Sequence, residues 1–122
     1  MVLPDDLRDE IRTLLQERRR EAVELLDSLA KQFDEVVDAT VNSNVDDEHD
    51  PEGMTIAFER SQVSAVTQRA QDDLAEIEAA LARVEDPDFG VCTGCGRTIP
   101  VERLRARPTA RTCVSCAARQ SR

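Results

Sequence analysis

Four cysteines stand in the last third of this 122-residue chain, as Cys92-Thr93-Gly94-Cys95 and, after seventeen further residues, Cys113-Val114-Ser115-Cys116. The pattern C-x2-C-x17-C-x2-C falls inside the spacing of four-cysteine zinc sites. Two residues between thiolates let each pair form a tight knuckle, with both sulfurs about 2.3 Å from one tetrahedral metal. Gly94 and Gly96 ease the turning backbone. Four thiolates close the coordination sphere and leave no position for water. The spacing therefore predicts one structural Zn2+ held by Cys92, Cys95, Cys113 and Cys116. Three other readings fit less well. Two disulfides suit a secreted protein, and nothing here directs export. A thioredoxin-type pair needs one C-x-x-C after a strand of a βαβ unit. A nucleobase deaminase needs His-x-Glu and Pro-Cys-x-x-Cys, whereas two residues separate His49 from Glu52 and Val91 precedes Cys92. The apolar residues around the cysteines, Phe89, Val91, Ile99, Val101 and Leu104, are too few to fold this segment alone, so metal binding of roughly 10–16 kcal/mol would be folding energy.

Upstream of the cysteines the apolar residues recur at helical spacing. Leu7, Ile11, Leu14, Ala22, Leu25, Leu29, Phe33 and Val36 form one stripe, interrupted at Arg18. Pro4 and then Asp5, Asp6, Asp9 and Glu10 suit a helix start, where a fixed φ and negative charge are favoured. Arg18 to Arg20, among Glu17, Glu21 and Glu24, read as a solvated face with local ion pairs of about 0.3–0.5 kcal/mol each. A second stripe, Val63, Val66, Ala70, Leu74, Ile77, Leu81 and Val84, has the 3.5-residue period of a coiled-coil seam. Between the stripes, Thr40 to Gly53 is rich in residues that compete with helical hydrogen bonds, which predicts a loop. Asp50-Pro51-Glu52 suits the start of the second helix, with Thr55 as an alternative cap. Asp86-Pro87-Asp88 should end it.

Two narrow stripes most simply bury each other in an antiparallel hairpin with arms about 45 Å long. A dimeric bundle would use the same stripes; the expectation is a monomer. The predicted fold is thus all-α: an antiparallel coiled-coil hairpin over 1–87 with a tip loop at about 40–54, then a four-cysteine zinc-finger module over 88–122 with a short terminal helix. The longest strictly apolar run, Ala79 to Ala82, is far short of the ~20 residues of a membrane span, and Asp5 and Asp6 stand where a signal peptide would be basic. These features predict a cytoplasmic protein. With 34% charged and 2% aromatic residues, the chain lacks the apolar surface for an enclosed substrate cavity. No catalytic triad, phosphate-cradling loop or open metal site is visible, so no enzyme activity is expected.

Charge is divided along the chain. Residues 1–88 hold nine Lys/Arg and 24 Asp/Glu, a balance of −15, while 89–122 hold seven Arg and one Glu, a balance of +6. From Asp34 to Glu59 there are nine acidic residues and no Lys or Arg, concentrated at Asp46, Asp47, Glu48, Asp50 and Glu52 in the predicted tip. Carboxylates there suit a hard cation or a basic protein surface. His49 reads as an exposed polar side chain. In the zinc module, Arg97, Arg103, Arg105, Arg107 and Arg111 suit phosphates or an acidic protein surface. Against sequence-specific DNA binding stand a single aromatic residue in the module, no reading helix and an acidic chain overall.

The run Val84-Glu85-Asp86-Pro87-Asp88-Phe89-Gly90-Val91-Cys92-Thr93-Gly94-Cys95-Gly96, followed by Ile99-Pro100, Arg103-Leu104-Arg105-Ala106-Arg107-Pro108-Thr109-Ala110, Cys113 and Cys116, resembles the DksA/TraR family of bacterial zinc-finger proteins. A looser likeness extends back through Ile56-Ala57-Phe58-Glu59-Arg60-Ser61-Gln62. The resemblance implies a transcription regulator that binds RNA polymerase directly. Its coiled coil would enter the secondary channel, with acidic tip residues approaching the catalytic Mg2+ region, and its zinc module would touch the channel rim. Some members act together with guanosine tetraphosphate. The family tip is typically Asp-x-x-Asp-x-Ala; here Asp47-Glu48-His49-Asp50-Pro51-Glu52 places Glu at the Ala position, and ungapped counting back from Cys92 puts the second acidic position near Glu52. Asp46, Asp47, Asp50 and Glu52 are therefore the candidate tip contacts. Two other functions fit the composition: a zinc-stapled coiled-coil adaptor for another protein, and a zinc-finger DNA binder, which would lose affinity steeply with salt.

Overall fold

The computed structural model describes residues 3–42 and 51–120, with side chains described over 3–38 and 54–120. Four helices follow one another: α1 (Asp5–Asn42), α2 (Pro51–Arg83), α3 (Val101–Ala106) and α4 (Val114–Gln120). Among the described residues there is no strand, only one antiparallel bridge between Val91 and Thr98. The fold is all-α, as the two helical stripes predict.

Helix boundaries follow local chemistry. The Pro4 carbonyl accepts the first helical bond of α1, from the Arg8 N–H at 2.9 Å. Asp5 and Asp6 occupy its first turn, where the dipole favours them. Pro51 opens α2, where its missing N–H costs nothing; Thr55 is therefore inside the helix and is not its cap. Both long helices reach into the segment expected to be a loop, α1 to Asn42 and α2 from Pro51. The propensity penalties of Thr, Val and Asn, under about 1 kcal/mol each, do not stop a helix already in progress. At the other end α2 stops at Arg83, ahead of the predicted Asp86-Pro87-Asp88. Val84 turns inward, and Asp86 N–H returns to the Arg83 carbonyl at 2.9 Å.

Two compact units divide the chain, Met1–Arg20 with Ala75–Arg122, and Glu21–Leu74. The division cuts both long helices, at a place different from the 87/88 boundary that charge and cysteine content suggest. The first unit contains most of the buried apolar side chains. Ile11 and Leu15 come from α1, Ile77, Ala80 and Val84 from α2, and Phe89, Ile99 and Leu104 from the cysteine-bearing segment. The α1 face that is buried is thus Arg8, Ile11 and Leu15, one residue round from the predicted Leu7, Ile11 and Leu14 stripe; Leu7 and Leu14 are half-buried.

Arg8 explains that rotation. It is the buried charged residue of the unit, and its Nη1 donates to the Val84 carbonyl and, at 3.0 Å, to the Asp86 carbonyl. Carbonyls at a helix C-terminus lack intrahelical donors, so a guanidinium from the antiparallel neighbour closes the end of α2. Nearby, Arg12 pairs with Glu85. Of the three consecutive arginines, Arg20 makes the expected local pair with Glu17 at 3.7 Å, but Arg19 reaches Glu78 of α2 at 3.7 Å. Arg18 donates to the Ala106 carbonyl at the end of α3, 2.9 Å away. Two of the three tie elements together instead of forming only a solvated face.

In the second unit the helices again run antiparallel. Leu29, Ala30, Phe33 and Asp34 of α1 face Ser64, Thr67, Gln68 and Gln71 of α2 around a cavity of about 350 Å³. Leu29 and Ala70 are its buried apolar residues among those described. Leu25 and Val66 of the predicted stripes are 47% and 48% exposed, and the half-buried neighbours are Leu26 and Thr67.

Candidate metal centre

The first knuckle is built on a short ribbon. Cys92 N–H donates to the Arg97 carbonyl at 2.7 Å, Gly96 N–H to the Cys92 carbonyl at 2.9 Å, and Ile99 N–H to the Gly90 carbonyl at 2.8 Å. Gly96 sits at φ +75°, the left-handed turn that glycine adopts without strain. Gly94 is needed for a different reason: a Cβ there would lie 2.9 Å from the Cys116 Sγ and 3.1 Å from its Cβ. The second knuckle forms at the start of α4, where Ala117 N–H donates to the Cys113 carbonyl at 3.0 Å. Thr93 N–H bonds the Arg111 carbonyl at 2.9 Å, which draws the two knuckles together. Between them lies α3, unforeseen by the stripes but signalled by Pro100, the acidic Glu102 in the first turn and the apolar pair Val101 and Leu104, the latter fully buried.

This framework gathers the four predicted cysteines. Their sulfurs all lie within 4.8 Å of one another. Those of Cys95 and Cys113 are 3.9 Å apart, close to the edge of about 3.8 Å for a tetrahedron with 2.3 Å metal–sulfur bonds. Cys92 and Cys116 are buried, Cys113 is half-buried and Cys95 is exposed. Backbone N–H groups point at the sulfur of Cys92, from Cys113 and from Gly94, each at 3.3 Å. Those donors, Cys113 foremost, pull the Cys92 thiol down to about 6. The backbone N–H of Cys116 likewise lowers Cys113. At Cys116 the Arg119 guanidinium favours the thiolate, but the adjacent Cys113 thiol, burial and the other two sulfurs outweigh it and push the thiol up to about 11. Four sulfurs in contact resist ionising together, and a divalent cation among them removes that penalty. The donor set is all sulfur and closed, which fits zinc in a structural role.

The five arginines predicted to face a partner do not share one fate. Arg103 Nε donates to the Thr112 carbonyl at 2.6 Å, and Arg105 binds Glu10 through both ends of its guanidinium at 2.6 and 3.2 Å. That contact holds the Glu10 carboxyl below its usual range. Arg97, Arg107 and Arg111 are exposed. Arg103, Arg107 and Arg111 line one polar cavity of about 510 Å³ together with Glu76, Thr93 and Gln120, whereas Arg97 lines a separate cavity beside Cys95 and Cys113. Of the acidic tip, Asp46, Asp47, Asp50 and the adjacent His49 lie outside the described residues, and Glu52 falls in the first turn of α2.

Comparison with known proteins agrees with this site. Residues 87–122 match the prokaryotic dksA/traR C4-type zinc finger. Over 96 residues the chain is 34% identical to the RNA polymerase-binding transcription factor DksA of Escherichia coli (strain K12), covering 75% of this chain and 64% of that protein. The chain thus spans about 64% of the length of the curated relatives it matches. The DksA of Haemophilus influenzae is 46% identical over 43 residues, 35% of this chain and 30% of that protein. Among solved structures, transcription factor DksA2 from Pseudomonas aeruginosa superposes with a TM-score of 0.78 at 26% identity, covering 96% of this chain and 84% of its own. The DnaK suppressor protein from Agrobacterium tumefaciens C58 superposes with a TM-score of 0.52 at 30% identity, covering 90% of each chain. The C4 zinc-finger match and the clustered sulfurs together support one structural zinc. By its cysteine knuckles, its helical architecture and these likenesses, the chain belongs to the DksA/TraR family of C4-type zinc-finger proteins.

Proposed function

We propose that this chain binds RNA polymerase and regulates transcription initiation, without catalytic chemistry of its own. The observation that carries this reading is the likeness to DksA2, a transcription factor, over 96% of the chain, alongside relatives named RNA polymerase-binding transcription factors. In this reading Cys92, Cys95, Cys113 and Cys116 hold the zinc that folds the module. The coiled-coil hairpin, within residues 1–87, carries Asp46, Asp47, Asp50 and Glu52 into the secondary channel, where their charge acts on the cation and basic surfaces of the polymerase active centre. Arg97, Arg107 and Arg111 of the 88–122 module meet the acidic rim, while Arg103 braces the module internally through the Thr112 carbonyl and Arg105 ties it to Glu10 of α1. The protein acts as a cytoplasmic monomer, and guanosine tetraphosphate, where it contributes, does so on the complex with polymerase.

The test uses purified protein with bacterial RNA polymerase. The wild type should be retained by polymerase and should change the lifetime of initiation complexes. The triple variant Asp47→Asn, Asp50→Asn, Glu52→Gln should still be retained yet lose that effect. The reading fails if the wild type does not bind polymerase, or if the triple variant regulates normally while bound.

A further inference from the structure

In the last turn of α4, Arg119 stands three residues after Cys116, on the same face of the helix. Its Nη2 donates to the Cys116 Sγ at 3.1 Å. Cys116 is buried to 3% exposure, so its sulfur has little access to water. Four thiolates around one Zn2+ carry a formal charge of −2, and on the buried side of the quartet Arg119 is the side-chain cation in hydrogen-bond contact among the described residues. Arg119 and Arg97 both line the cavity beside Cys95, Cys113 and Ser115, and among the described residues Arg97 makes no bond to a sulfur there.

We infer that Arg119 is a positioning residue of the zinc centre, holding Cys116 in its coordinating rotamer and offsetting part of the charge on the metal–thiolate cluster. A charged N–H···S bond withdraws electron density from the sulfur and fixes its direction. Partners of this kind to metal ligands typically change metal affinity about 10–100-fold when removed. Here ligand and partner both lie on α4, Cys116 in its first turn and Arg119 in its last, so folding of α4 and closure of the site are one event. The bond lies wholly within the chain, and its effect is present in the isolated protein without polymerase.

The experiment compares Arg119→Ala, Arg119→Lys and Arg97→Ala with the wild type as full-length zinc-loaded chains. Arg119 is exposed, so Arg119→Ala should keep the helical circular dichroism and one zinc per chain. Its zinc should pass to excess chelator about tenfold faster than that of the wild type. In the Co2+-substituted protein its sulfur-to-metal charge-transfer band should move to longer wavelength, because the uncapped thiolate gives up its electron more readily. Arg119→Lys should recover most of both properties, and Arg97→Ala should match the wild type. Unchanged release with an unchanged band in Arg119→Ala overturns the inference. So does an equal effect in Arg97→Ala, which would assign the change to general charge instead of the bond.

Discussion

Gly94 and Gly96 sit two residues apart in the first knuckle and are needed for different reasons, which a pair of substitutions separates. At Gly96 the backbone is left-handed and nothing lies within 4 Å of the place a Cβ would take, so Gly96→Ala costs only conformational strain, about 1–2 kcal/mol. At Gly94 an added methyl meets the Cys116 sulfur at 2.9 Å, and that sulfur is held by coordination and by Arg119. Gly94→Ala should therefore weaken zinc binding by more than about tenfold in chelator competition, whereas Gly96→Ala should lower the melting temperature with little change in zinc affinity. Equal zinc affinities in the two variants would show that the quartet can shift to admit the methyl. The sequence pattern made both glycines legible as turn residues, because C-x-x-C spacing demands a turn. It did not distinguish them, because the steric demand at Gly94 comes from Cys116 in the second knuckle, far along the chain. Arg119 was equally hidden: as one more arginine in a basic tail it registers only as charge, and its bond appears once α4 sets it one turn beyond a ligand.

Within a single element, stability is not uniform. α1 runs unbroken from Asp5 to Asn42, yet Ile11 and Leu15 are fully buried in the first unit, while Leu29 is the one buried apolar side chain that α1 contributes to the second among the described residues and Leu25 is about half exposed. Helical hydrogen bonds open more readily where fewer apolar contacts are lost on opening. Amide exchange at neutral pH should therefore be slower at residues 11–18 than at residues 25–36, by about tenfold for each 1.4 kcal/mol of difference in local opening. Uniform protection along the helix would contradict this. The two long helices and their pairing were legible because the period of 3.6 survives any small rotation. The buried face was not: 7, 11, 14 and 8, 11, 15 are both helical rows, and the choice is made by Arg8 capping the end of α2. Such a long-range polar contact leaves no apolar signature. α2 gives way at Arg83, where the Asp86 N–H closes a turn on the Arg83 carbonyl just ahead of Pro87.

At the scale of the whole molecule the net charge divides differently from the split at Phe89 and falls almost wholly on one compact unit. Counted by compact unit, Glu21–Leu74 holds three Lys/Arg against 14 Asp/Glu, or −11, whereas Met1–Arg20 with Ala75–Arg122 holds 13 against 11, or +2. Zinc with four thiolates adds −2 to the latter, which brings that unit close to neutral. Nearly all of the net charge therefore lies on the unit with the thinner core, an arrangement that self-repulsion disfavours. Retaining it is consistent with the acidic segment serving a partner at some cost in stability. Screening should relieve that cost: raising salt from about 10 mM to 150 mM shortens the Debye length from about 30 to 8 Å, so the melting temperature should rise over this interval. The Asp47→Asn, Asp50→Asn, Glu52→Gln variant removes three of the 14 carboxylates; it should melt higher than the wild type at low salt and show a smaller salt-dependent rise. A melting temperature indifferent to salt, or a triple variant no more stable than the wild type at about 10 mM, would mean that these carboxylates are already compensated within the chain and would remove the electrostatic case for an outside partner.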